Sequence, residues 1–292
     1  KAQDETEVFA NDSKKKIYMH WMYDVPMGEQ LDDDGDSLES IEGCLTDAQY
    51  NRDEHRKAVI DDILDNWVSQ SHNGKFHAIL ATSSIPEAIK YYKLFAQRDC
   101  GLKTTAVFDP SDGNNESSIE KIDGIAQMLE DYNSLFGTCF NISGYASFKR
   151  DVCARLAHKT PYTAVENEPS KCLDILIVVD QMLTGYDSKW LNTLYMDKFY
   201  KWSNIEMIIQ AFSRTNRVFN DDKPHGIIRY YRRPYTMKNI IEYAFEQYSG
   251  QKPYGIFVAK LIQNLENMNA AFSDINDIFK IAGIPDFFKT SR

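Results

Sequence analysis

From about residue 58 to 234, short apolar runs of strand length alternate with stretches whose apolar residues recur at helical spacing. FHAILATSS (76–84), LKTTAVFD (102–109), LDILIVVD (173–180), LNTLYMDK (191–198) and GIIRYY (226–231) are strand-sized. Between them, IPEAIKYYKLFAQR, SSIEKIDGIAQMLEDYNSLFG and ASFKRDVCARLAHK keep the 3.6-residue period of amphipathic helices. Strands alternating with helices predict βαβ units, hence an α/β fold with a mainly parallel sheet covered by helices on both faces. Ile175 to Val179 are apolar without interruption, as expected of a central parallel strand. From about 235 onward TMKNIIEYAFEQYSG and FVAKLIQNLENMNAAFSDINDIFKIAG predict a helical C-terminal segment, 235–292. Residues 1–57 are polar, with few sustained apolar periods, and read as a connector or irregular subdomain.

Composition adds limits. Hydrophobic residues make up 43 % and aromatics 13 %, too rich for a disordered chain, and no run approaches the roughly 18 apolar residues of a membrane span. No membrane partner is expected. The five cysteines, Cys44, Cys100, Cys139, Cys153 and Cys172, have no metal-ligand spacing, so no zinc site and no disulfide framework is expected, and a reducing cytoplasm fits best. The chain opens at Lys1 without a charged-then-apolar leader, which predicts no secretory signal and a piece of a longer polypeptide. The net charge of −10 argues against a protein that coats nucleic acid over its whole surface. The acid is concentrated early, in LDDDGDSLESIEG and RDEHRKAVIDDILD. Between Lys198 and Lys238 the sign reverses, with Lys201, Arg214, Arg217, Lys223, Arg229, Arg232 and Arg233 outnumbering Glu206, Asp221 and Asp222. That stretch is either ordinary solvated surface or a local groove for phosphates.

Two short stretches carry candidate chemistry. In open α/β sheets ligands sit beyond the carboxyl ends of strands, which directs attention to QMLTGYDSKW after the strand ending at Asp180. There Thr184, Gly185 and Asp187 offer a hydroxyl, a close turn and a carboxylate able to accept a ribose hydroxyl, or simply a turn. Downstream, Ser203 and Glu206 have capping-box spacing and predict a helix from near Asn204 through NIEMIIQAFSRTNR. Ile205, Ile208, Ile209 and Phe212 would form its apolar stripe, with Gln210, Arg214 and Arg217 on the opposite side. Two guanidinium forks at that spacing suit a polyphosphate, although arginines on an outer helix face are also commonly just solvated.

The phrases LTGYD, LNTLYMDK and QAFSRTNR, with FHAILATSSIPEAIKYYKLF upstream, resemble the second RecA-like domain of superfamily-two translocases. More narrowly they resemble the motor, or restriction (R), subunit of type I restriction enzymes. The resemblance covers residues 58–234, extends plausibly to the helical tail, and reaches 1–57 poorly. It implies that Gln210, Arg214 and Arg217 face ATP held by a partner RecA-like domain, with Arg217 as an arginine finger. Gly185 and Asp187 would lie near the nucleotide and Thr184 between nucleotide and DNA. Ser83 and Ser84 become candidates for DNA phosphates, or caps of the next helix. Arg229, Arg232 and Arg233 become candidates for the DNA track. Where many relatives carry a DNA-contacting threonine, eight residues before Asp187, this chain has Val179. No G-x-x-x-x-G-K-[ST] loop, Asp-Glu-x-His box or nuclease motif is present in these residues. ATP and Mg²⁺ would be held mainly by the first RecA-like domain, and this stretch by itself is expected to be inactive. The resemblance further implies double-stranded DNA, the first RecA-like and nuclease domains, and modification and specificity subunits as partners, in a bacterial or archaeal cytoplasm. Two other functions compete with this one: a related repair motor, and an α/β assembly module that has lost catalysis.

Overall fold

The computed structural model describes residues 9, 11–32, 34–98, 100–108, 118–179, 186–219, 221–248 and 261–281, with the backbone alone at 118–120, 166, 261–267 and 281. The chain divides into two compact units, Lys1–Tyr248 and Ser249–Arg292.

Five parallel strands form the sheet of the first unit: β1 (His77–Thr82), β2 (Thr104–Val107), β3 (Ile175–Val178), β4 (Leu191–Asp197) and β5 (Ile227–Tyr230), in the order β2-β3-β1-β4-β5. Each lies inside the apolar run that predicted it. All four residues of β3 are fully buried between β2 and β1, as a strand shielded on both faces must be. The helices around the sheet are α2 (Asp53–Gln70), α3 (Ile85–Gln97), α4 (Ser118–Phe136), α5 (Tyr145–Leu156), α6 (Ile205–Phe212) and α7 (Pro234–Tyr248); α1 (Asp12–Met19) precedes them. This is the α/β, RecA-like arrangement expected. Helix α2 was hidden in the sequence by its acidic residues. Its Val59, Ile60, Ile63 and Trp67 nevertheless fall on one face and join the core.

The described residues between 25 and 51 hold only the short helical turns Glu42–Cys44 and Asp47–Tyr50, yet they are specifically seated. The buried Glu42 carboxylate accepts hydrogen bonds from the backbone N–H groups of Tyr235 and Thr236, at 3.1 and 2.7 Å, and so caps the start of α7. The Glu29 N–H donates to Thr236 Oγ1 and Asn239 donates to the Glu29 carbonyl. Gly28 lies so close to α7 that a Cβ there would sit 2.5 Å from the Tyr235 carbonyl carbon. In the second unit, α8 (Leu261–Ile281) is helical as expected, and its Met268, Phe272 and Ile275 are exposed.

One irregularity interrupts the sheet. His77 pairs with Leu191 and Ala78 with Thr193, so Asn192 is an extra residue in β4. A bulge of this kind re-aims the side chains beside it.

Candidate functional site

The two candidate stretches meet. The Arg217 Nε donates to Asp187 Oδ1 at 2.9 Å, and Arg214 donates to the Tyr186 carbonyl at 3.3 Å. Gln210 is exposed on the last turn of α6. Thr184 and Gly185, like Asp180, lie outside the described residues. Asp187 stands four residues before β4, and the 213–226 segment leads into β5, so the meeting point is at the amino edge of the sheet. That departs from the carboxyl edge expected for the chemistry of this segment. The physical reason is parallel pairing: a chain leaving β3 at its carboxyl end must return to the amino edge before entering β4.

The helix carrying the arginines is shorter than its sequence predicts. α6 ends at Phe212; its N-cap is Asn204, which makes no side-chain cap bond, and the hydroxyl of Ser203, the expected cap, donates to Asn204 Oδ1. Ser213 Oγ donates to the Gln210 carbonyl and Thr215 Oγ1 to the Phe212 carbonyl, while the N–H groups of Arg214 and Thr215 turn to carbonyls three residues back. Hydroxyls that take terminal carbonyls compete with helix continuation. Thr215 is buried against Gly226, where a Cβ would come within 2.3 Å of Thr215 Oγ1. Arg214 and Arg217 therefore project from a clamped turn instead of one helical face.

A packed floor supports this turn. Phe219 packs on Trp190 and Phe76, with ring centroids 4.6 and 5.7 Å apart, and His158 stacks on Trp190 at 3.9 Å. Lys223 is fully buried and its ammonium donates to the carbonyls of Leu191 and Lys189, tying the 219–223 bridge to the start of β4. Burial pushes its pKa down to about 8. His77 Nε2 lies 3.1 Å from the Tyr186 hydroxyl. Burial drives the His77 pKa well below its ordinary value, with the charges of His158 and Lys223 adding to the effect; burial likewise raises that of Tyr186. None of these supporting residues carried a motif, and Lys223 drew notice only as one of the basic residues between Lys198 and Lys238.

The electrostatics at the tip are permissive. Arg217 and Asp187 are each more than half exposed, and such pairs contribute about 0–1 kcal/mol. An incoming anion can therefore replace the carboxylate at little cost. No cluster of metal-ligating side chains exists among the described residues. Paired guanidinium groups beside an exchangeable carboxylate are a donor set that suits phosphate oxygens.

The remaining candidates sit elsewhere. Ser84 caps α3, accepting from the Glu87 N–H, while Ser83 is exposed after β1. Arg229 donates to Asp62 at 2.6 Å and is partly exposed. Arg233 donates to Glu29 and to the Leu45 carbonyl, holding the 25–51 segment. Arg232 corrects the expectation of a DNA contact: it is 2 % exposed and grips Asp197 through Nε and Nη2 at 2.9 and 3.0 Å. Its neighbours in the chain are basic, but β5 and the turn into α7 direct it inward, towards the carboxyl end of β4.

Comparison with known proteins gives consistent relatives. A family model described as type I restriction enzyme subunit R domain 3 matches residues 74–233. The type I restriction enzyme SsaAORF53P endonuclease subunit of Staphylococcus saprophyticus is 32 % identical over 213 residues, 70 % of this chain and 22 % of the relative. The SauMRSORF196P endonuclease subunit of Staphylococcus aureus is 31 % identical over 200 residues, 66 % of this chain and 20 % of the relative. A putative MjaIXP endonuclease subunit of Methanocaldococcus jannaschii is 30 % identical over 125 residues, 42 % of this chain and 11 % of the relative. The chain spans about a fifth of the length of the two staphylococcal relatives. No helix among the described residues is long and apolar enough to cross a membrane.

Proposed function

The chain belongs to the subunit R family of type I restriction enzymes, and we propose that it is the second RecA-like half of an ATP-driven DNA motor within such an endonuclease subunit. The observation that carries this reading is the convergence of Asp187 with Arg217, and of Tyr186 with Arg214, from stretches about thirty positions apart. Gln210, Arg214 and Arg217 would face ATP bound on the first RecA-like domain, with Gly185 and Asp187 close to it. Bound there with Mg²⁺, ATP supplies the phosphoryl group whose transfer to water drives movement. Arg217 would exchange Asp187 for the phosphate and offset the charge that accumulates on its oxygens, while Arg214 and Gln210 hold the approach. The packed floor of Trp190, Phe219 and Lys223 would keep the turn fixed as that charge develops.

Double-stranded DNA would pass the exposed Ser83 and the partly exposed Arg229, with Thr184 as a further contact and Arg233 committed to the N-terminal segment. The first RecA-like and nuclease domains of the same polypeptide, together with modification and specificity subunits, would complete the enzyme in the cytoplasm. Lacking the phosphate loop, the chain Lys1–Arg292 would neither hydrolyse ATP nor cut DNA by itself.

The test is Arg217→Ala in the full-length subunit. ATP binding should persist, while turnover should fall by on the order of 10³-fold. Arg217→Lys should not restore it, because an ammonium cannot reproduce the guanidinium fork. Since Arg217 is mostly exposed, stability should change by about 1 kcal/mol or less. Normal turnover in the folded variant would refute the reading and favour a noncatalytic assembly module.

A further inference from the structure

We propose that His77 and Tyr186 are positioning residues: their buried hydrogen bond fixes the Tyr186–Asp187 backbone and, through it, the directions of Arg214 and Arg217. The proposal rests on the phosphate-facing role given to those arginines above. Three observations support it.

First, the two guanidinium groups take their bearings from adjacent residues. Arg214 donates to the Tyr186 carbonyl, and Arg217 to the side chain of Asp187. Both acceptors therefore depend on how the Tyr186–Asp187 backbone is held. Second, that peptide is anchored from beneath. Tyr186 is 7 % and His77 5 % exposed, their polar atoms are 3.1 Å apart, and the Tyr186 hydroxyl also meets Ser188. Asp187, by contrast, is open to solvent, so the Tyr186 ring is the part of this pair of residues that the core can hold. Third, the sheet is irregular at this point. The His77 N–H donates to the Trp190 carbonyl and the extra residue Asn192 shifts the register between His77 and Ala78. Asn192 is itself buried and donates to the Gln70 carbonyl. A β-bulge held by a buried amide at the entrance of β4 turns the 186–190 approach toward His77. Burial, with the charges of His158 and Lys223, favours the neutral imidazole here.

The decisive experiment is a cycle of ATPase measurements on the full-length subunit, read by steady-state and single-turnover hydrolysis, with thermal melting of every variant. Tyr186→Phe keeps the ring and removes the hydroxyl. It should lower kcat by roughly 10–100-fold, the scale of an ångström-sized misplacement of a catalytic group, with KM for ATP unchanged. His77→Phe should match it, and His77→Gln, whose amide can still reach the tyrosine hydroxyl, should recover most of the rate. In an Arg214→Ala/Arg217→Ala background, Tyr186→Phe should change the residual rate by no more than about twofold, since nothing is left to position. Wild-type kcat in Tyr186→Phe would overturn the inference. So would an equal loss in both backgrounds, which would mark a general folding effect. If Arg217→Ala alone turned over normally, the finger reading would fail and this inference with it, and that arm identifies the case without the others.

Discussion

Removing the carboxylate of Asp197 should destabilise the sheet unit more than any other single change at its carboxyl edge. Asp197 is completely buried and accepts four hydrogen bonds. Oδ1 receives His55 Nε2 at 2.7 Å and Arg232 Nε at 2.9 Å, and Oδ2 receives Tyr91 at 2.9 Å and Arg232 Nη2 at 3.0 Å. After Asp197→Ala, the Arg232 guanidinium would keep only its 3.1 Å bond to Asn51 while remaining out of water. Breaking a buried ion pair in this way costs about 3–5 kcal/mol. For a unit of this size that corresponds to a fall in melting temperature of about 6–20 °C. Arg232→Met should cost less, on the order of 2–3 kcal/mol, because the carboxylate retains His55 and Tyr91 and can take up a proton. Urea unfolding of chain Lys1–Arg292, followed by tryptophan fluorescence and far-ultraviolet circular dichroism, measures both, and DNA binding across a salt series should be run in parallel. The inward assignment of Arg232 would be refuted if Arg232→Met left the urea midpoint unchanged and reduced the salt slope of DNA binding by one phosphate contact.

Acid should weaken the same edge. Burial opposes ionisation of Asp197, but the hydrogen bonds from His55 and Arg232 outweigh it and hold the pKa below its ordinary 3.8; Glu87, buried yet held by Arg56, is likewise below 4.5. A depressed folded-state pKa gives stability that is whole above the ordinary value and lost as pH falls through the folded one, so urea midpoints should drop below about pH 4.5; a midpoint constant down to pH 3 would contradict these assignments. At the other junction, Glu42→Ala should cost about 1–2 kcal/mol through loss of the α7 cap and speed proteolytic cleavage within 25–45. Unchanged cleavage would show that the cap does not hold this segment.

The alternation of apolar runs made the sheet legible because each strand is short and buried: the LDILIVVD run contains β3, and LNTLYMDK contains β4 almost end to end. Periodicity failed where a polar side chain intervened. The helix was expected to run on through Ser213 and Thr215, yet their hydroxyls end α6 two residues before Arg214. Charge counting failed for the same class of reason. Arg229, Arg232 and Arg233 looked like one basic patch, and the partners that separate them, Asp62, Asp197 and Glu29, are distant in sequence. The motif arginines and Asp187 were legible as a group because specific wording surrounded them. His77 and Tyr186 were not, since a lone histidine and a lone tyrosine carry no signal until the fold sets them 3.1 Å apart.

The measurement that bears most directly on the motor assignment is the structure of the full-length subunit with a nonhydrolysable ATP analogue and Mg²⁺ bound. Arg217, now 2.9 Å from Asp187, is expected to have left that carboxylate for the terminal phosphate, with Arg214 still on the Tyr186 carbonyl and Gln210 turned to the nucleotide. A complex in which the nucleotide is bound and the domains are closed around it, while Arg217 remains on Asp187 facing solvent, would contradict the assignment.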